Sequence, residues 1–262
     1  MATQALWPYA RMIAHRGGGL APENTLPAFA EAARRGYRAI ECDVTLTADH
    51  IPVLFHDETL ERTAAGVGAV AEKTWAQLAE LDAGAWFHPR FSGTRIPRLE
   101  QAIIAWRQLG LQAFIELKVN PGQDPDLVGT VIASTVAACW QGDPPPVFIS
   151  FSAMALVATA KVAAEKVAAE KVTPVIPRAL LLGTPWLDEN PWPSDWQQQM
   201  VAARATALDL DHSLVTRERV EELHRAQVPL VTWTVNDPAR AAELLSWGVD
   251  GVTTDAIDEI TP

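Results

Sequence analysis

Cysteine is almost missing from this chain: Cys42 and Cys139 are the two in 262 residues. Neither has a metal-ligating or redox spacing, so a disulfide framework and a thiolate zinc site are both excluded, and a reducing compartment is the simple reading. Long apolar runs are missing as well, since none approaches the roughly 18 residues that a bilayer span requires. The opening MATQALWPYARMIAH lacks a basic stretch leading into an apolar one and gives no sign of a secretory leader. Positive charge is scarce, with 21 Lys and Arg against 32 Asp and Glu for a net charge of −11. A field of that sign disfavours nucleic acid and anionic membrane as partners, and an anionic ligand would need a local cationic site to overcome it. The expectation is a cytoplasmic protein with no membrane anchor, acting on a small molecule.

What is present suits a globular enzyme. Hydrophobic residues make up 48% and charged residues 20% of the chain, and this length allows one large α/β barrel or two small domains. The stretch Ile40-Glu41-Cys42-Asp43-Val44 organises the reading. As a strand it places Glu41 and Asp43 on one face, about 7 Å apart, and Cys42 on the other. Two such carboxylates repel each other unless a cation lies between them. Phe114-Ile115-Glu116-Leu117-Lys118 repeats the device with one acid and one amine.

Along the chain, strands alternate with helices. Residues 11–15 read as a strand that runs into His15-Arg16-Gly17-Gly18-Gly19, with a helix over 26–35 closed by Gly36. The Glu41/Asp43 strand and Ile51–Phe55 follow, the latter running into His56-Asp57. Residues 57–98, irregular and rich in Gly and aromatics, are too long for a barrel connection and read as an inserted subdomain or lid. Helices are expected at 99–109, 124–139, 153–172, 216–226 and 238–247, and further strands at 147–151, 178–182, 207–211, 229–235 and 251–254. A Pro/Trp-rich loop spans 183–196, walling a pocket or packing on the rim. The alternation predicts a single parallel (β/α)₈ barrel over residues 1–262. It supplies one strand too many for eight places. The gap from Thr45 to Ile51 is too short for a parallel crossover, so one of the two segments it joins should pair as a hairpin. In such a barrel the chemistry sits at the C-terminal strand ends. His15, Glu41, Asp43, His56, Glu116, Lys118, Ser150 and Trp233 all fall near predicted ones.

HRGG (15–18), APENT (21–25), ECD (41–43), FHDETLERT (55–63), LDAGAWF (81–87), IELK (115–118), TWTVN (232–236) and VDGVTTD (249–255) occur in that order. In this combination the chain resembles the glycerophosphodiester phosphodiesterases, and looks most like their cytoplasmic bacterial members. The resemblance implies a TIM barrel of the phospholipase-C-like phosphodiesterase type that hydrolyses glycerophosphodiesters, such as glycerophosphocholine, to sn-glycerol 3-phosphate and an alcohol. It implies that Glu41, Asp43 and Glu116 bind one Mg²⁺ or Ca²⁺, that His15 and His56 act as general acid and base, that Arg16 and Lys118 contact phosphate, and that Trp233 faces the glycerol. Elementary chemistry agrees. All-oxygen donors suit a hard cation, and a reacting phosphodiester gains charge on its non-bridging oxygens that fixed cations stabilise. Arg62 is either a phosphate contact or a solvated loop residue. Glu23 and Asn24 are expected to hold the HRGG loop by hydrogen bonds, while His88, His212 and His224 read as surface residues. A non-catalytic binder on the same fold, or a phospholipase, are the competing classes. The repeat VAAEKVAAEK at 162–171 is foreign to the family pattern and is expected to extend its helix as an overhang at the bottom of the barrel. Oligomeric state has no signature here.

Overall fold

The computed structural model of the protein describes residues 7–142, 144–170, 176–183 and 192–262, with the side chains of 165–170 left undescribed. Eight parallel strands close into a ring: β1 (Met12–Ala14), β2 (Ala39–Leu46), β4 (Gln112–Leu117), β5 (Val147–Ser150), β6 (Arg178–Leu182), β7 (Ala207–Asp211), β8 (Leu230–Trp233) and β9 (Gly251–Thr254). The order is β1-β2-β4-β5-β6-β7-β8-β9, and β9 pairs back to β1 through Ile13 and Thr253. This is the expected TIM barrel. The surplus strand is β3 (Pro52–Leu54), which runs antiparallel to β2 with Val44 opposite Leu54. The Glu41/Asp43 strand therefore takes the barrel place, and the short gap makes a hairpin.

Two apolar layers hold the ring. Outward residues such as Ile40, Cys42, Val44, Ile115, Leu208 and Leu210 pack under the helices. Those helices are α1 (Leu26–Arg34), α3 (Leu99–Leu109), α4 (Pro125–Cys139), α5 (Ala153–Glu170), α6 (Trp196–Ala203), α7 (Arg217–Arg225) and α8 (Pro238–Trp247), with the four-residue α2 (Trp75–Leu78) outside the set. Inward residues Ile13, Ala39, Phe114, Val147, Ile149, Ala179, Leu181, Ala207 and Val231 fill the interior. Beneath them Trp7 and Tyr9 stack on Phe114, with ring centroids 6.0 and 5.5 Å away. Tyr9 donates its hydroxyl to the Pro145 carbonyl. Among the described residues the bottom of the barrel interior is thus filled mainly by apolar side chains.

Residues 55–98 leave the ring and, with Val53 of β3, build a core of their own from Phe55, Leu60, Ala64, Val70, Leu78, Ala83 and Ile96. Helix α6 has no counterpart in the sequence expectations. Its buried side chains Trp196, Met200 and Ala203 give one apolar contact per turn among glutamines, too thin a stripe to read. The predicted loop 183–196 falls partly outside the described residues, at 184–191. Its described end packs outward, with Trp192 and Trp196 ring centroids 6.0 Å apart and Arg219 over Trp192. Helix α5 is continuous to Glu170, and residue 171 of the repeat lies outside the described residues. Among the described residues no helix is long and apolar enough to cross a membrane.

Candidate active site

The turn after β1 is sterically over-determined. Gly17 adopts φ 89°, and a Cβ there would lie 2.7 Å from that of Ala28, so only glycine lets α1 approach so closely. Arg16, beside it, is held at φ 52°, a conformation unusual for a side-chain-bearing residue. Its amide donates to Glu41 at 3.2 Å and its carbonyl accepts from the Asn24 amide at 3.0 Å. Those contacts hold the strained turn in place. Its guanidinium then lies against Glu23 (2.9 Å) and Asp43 (3.2 Å).

Parallel pairing sets the acids. Asp43 on β2 is in register with Glu116 on β4, which brings the two inward acids side by side. Glu41, Asp43 and Glu116 each offer one oxygen, all within 4.8 Å of one another. Asn24 grips Asp43 twice, donating its side-chain amide at 2.8 Å and accepting the Asp43 backbone N–H at 3.1 Å. Lys118 stands 3.2 Å from Glu116 and 3.6 Å from Asp43.

Electrostatics divide this trio. Burial pushes Glu41 well up, helped by Asp43 and Glu116. Burial and the nearby Asp43 bring Glu116 to about 7, against the pull of Lys118. Asp43 is as buried, but Arg16, Lys118 and His56 outweigh desolvation and hold it below the usual carboxylate range. The structure thus packs like charges whose mutual repulsion a divalent cation would relieve. The donor set is all oxygen, which fits Mg²⁺ or Ca²⁺.

Each histidine is backed by a carboxylate. His15 Nδ1 is 2.7 Å from Asp255, which is held in turn by the Asn236 side-chain amide at 2.9 Å, and His15 Nε2 faces Glu41 at 3.8 Å. His56 Nδ1 is 2.6 Å from Asp57. Burial lowers His56, and Arg16 and Lys118 add to the effect against the pull of Asp43, which favours its neutral form. Both rings therefore turn Nδ1 to an acid and leave Nε2 for other chemistry. Trp233, at the end of β8, meets Phe151 edge-on at 5.6 Å and donates its indole N–H to the Asp209 carbonyl.

All eight residues singled out from the sequence lie at the C-terminal side of the ring. Arg62 donates to Glu23 and to Asp57, and Ser150 turns away to the Leu117 carbonyl. Asp57, Asp255, Asn236 and the buried Asp209 had no role assigned from sequence. The first three lie inside quoted motifs, but their partners could not be read from spacing alone. For Asp209 the signal was available, since Ala207, Asp209 and Asp211 alternate just as 39, 41 and 43 do.

Residues 15–259 match the Glycerophosphoryl diester phosphodiesterase family. A Bacillus subtilis protein, YhdW, described as a candidate glycerophosphodiester phosphodiesterase, is 34% identical over 257 residues, covering 95% of this chain and 96% of its own. A glycerophosphodiester phosphodiesterase of Caldanaerobacter subterraneus is 30% identical, with 93% of each chain covered. Among solved structures, an Oleispira antarctica phosphodiesterase in complex with its product sn-glycerol-3-phosphate superposes with a TM-score of 0.83, at 31% identity and with 96% and 95% of the chains covered.

Proposed function

Because the chain belongs to the glycerophosphoryl diester phosphodiesterase family, we propose that it hydrolyses glycerophosphodiesters to sn-glycerol 3-phosphate and an alcohol at the mouth of its barrel. The supporting observation is the buried trio Glu41, Asp43 and Glu116, ringed by Arg16, Lys118 and two carboxylate-backed histidines. In this reading the trio holds one divalent cation, Mg²⁺ or Ca²⁺. When bound, the ion supplies Lewis-acid stabilisation to phosphoryl oxygens and releases Asp43 and Glu116 from mutual repulsion.

The remaining steps belong to the side chains. Arg16 and Lys118 lie beside the trio on carboxylates, and an arriving phosphodiester anion draws both cations onto its non-bridging oxygens, where charge grows in the transition state. His15 and His56 exchange protons through Nε2, one taking a proton from the attacking hydroxyl, of water or of the glycerol, and the other giving one to the departing alkoxide. After attack by the glycerol a water opens the cyclic phosphate, so one water is consumed on either route. Asp255 and Asp57 hold Nδ1–H and stabilise each imidazolium. Trp233 lies against the glycerol carbons. The 57–98 segment is an inserted subdomain beside the mouth. The substrate is a small water-borne diester, met in the cytoplasm.

Purified protein incubated with glycerophosphocholine tests this. Release of sn-glycerol 3-phosphate should stop with EDTA and return with Mg²⁺ or Ca²⁺. No release with either ion, or release indifferent to EDTA, would overturn it.

A further inference from the structure

Arg62 enters the site from outside the barrel ring. Its Nη1 and Nη2 donate to the two oxygens of Glu23 at 2.7 and 2.8 Å, while Nε and Nη2 donate to the two oxygens of Asp57 at 2.5 and 2.8 Å. Those four hydrogen bonds use four of the five N–H groups of a guanidinium, so little remains with which to bind a phosphate. Asp57, thus gripped, holds His56 Nδ1. Glu23 belongs to the loop that carries His15 and Arg16, and it also accepts from Arg16.

From this chain of contacts we propose that Arg62 is a positioning residue: it anchors on Glu23 and locks Asp57, and through Asp57 the His56 ring, into register with the loop bearing His15 and Arg16. The inference rests on the proton-transfer role given to His56. The Phe55 amide donates to the Asp43 carbonyl at 3.0 Å, so β2 fixes the backbone beside His56, but the Asp57 carboxylate that orients the ring opens the irregular 57–98 segment. A clamp between Asp57 and Glu23 constrains that carboxylate. A planar fork with two bidentate partners sets distance and angle together, which an ammonium cannot do. The Arg62 side chain is 45% exposed, and ion pairs at such sites add little to folding. The effect therefore falls on geometry, where a misplacement of about 1 Å costs on the order of 10² in rate.

The test is steady-state kinetics on glycerophosphocholine with the metal-loaded enzyme. Arg62→Ala should lower kcat about 10- to 100-fold and change KM by less than about threefold. Arg62→Lys should do no better, and added guanidinium should restore part of the Arg62→Ala rate. In a His56→Ala background, Arg62→Ala should cost less than about threefold more. Should Arg62→Ala fail to fold, Arg62→Gln, which keeps most of the stem, reads the same quantities. A raised KM at unchanged kcat, or full additivity with His56→Ala, would overturn the proposal and make Arg62 a substrate contact. Wild-type kcat in Arg62→Ala beside a slow His56→Ala would overturn it alone, whereas a fully active His56→Ala would bring down the acid–base reading on which it rests.

Discussion

Strands β2 and β7 stand on opposite sides of the eight-strand ring, and each carries two inward acids two residues apart. Glu41 and Asp43 on β2 sit among Arg16, Lys118 and Asn24, with Asp43 held below the carboxylate range. Among the described residues, Asp209 and Asp211 on β7 have no such company. Asp211 accepts the Ser213 amide, closing a turn. Asp209 lies between Leu181 and Val231 in register, and its Oδ1 has no hydrogen-bond partner among the described residues. Burial, with Glu116 adding to it, pushes the Asp209 carboxyl well up. The strand pattern is the same and the chemistry differs, because the cations come from the turn after β1 and the end of β4. Acid spacing marks a face; neighbouring elements decide whether it becomes a site.

The sharpest way to break that contrast is to remove the β2-side acids. Glu41→Ala or Glu116→Gln should cut kcat/KM by at least about 10³, the scale of a lost Lewis acid, while circular dichroism shows a folded chain. In the wild type, ion binding followed by calorimetry should weaken at least about tenfold per pH unit below about 7, because the Glu116 proton, and that of Glu41, must leave first. Affinity flat across that range would place the ion elsewhere. Next in size, His15→Ala and His56→Ala should each lower kcat at least about 10²-fold. An activated p-nitrophenyl leaving group should rescue whichever variant lacks the acid, and equal losses of both variants on both substrates would argue against a proton-transfer pair.

The β7 side should respond in the opposite sense. The folded carboxyl of Asp209 lies above its unfolded value, so its share of stability is whole below the unfolded pKa and is lost as pH rises toward the folded one. Asp209→Leu removes that loss. The variant's Tm should gain on the wild type as pH rises above about 4, the unfolded carboxylate value, reaching a few degrees. A gap that does not change with pH would mean that the folded protein carries Asp209 ionised. Smallest of all, deleting residues 162–171 should leave kcat/KM within about threefold, since the bottom face of such a barrel bears on stability. A tenfold loss in a folded deletion would tie the repeat to the site.

Much of this was legible in sequence because it rests on local period and strand-end placement. Glu41, Asp43, Glu116, Lys118 and Trp233 are inward residues near strand ends, and the short link from Thr45 to Ile51 already demanded a hairpin. What stayed hidden depends on closure of the ring. His15 meets Asp255 across 240 positions, and no local pattern encodes that pairing. Arg62 could be read as a phosphate contact or a solvated residue, since its partners Glu23 and Asp57 meet only when the 57–98 segment folds back. Helix α6 escaped because a thin apolar stripe among glutamines resembles a loop.

The aromatic stack of Trp7, Tyr9 and Phe114 makes the barrel a vessel with a stopper. A vessel stoppered at the bottom has one doorway, so diester and both products pass through the same opening. Whichever product is held more tightly would block the next arrival, and turnover would then depend on traffic at the rim as well as on bond breaking at the floor.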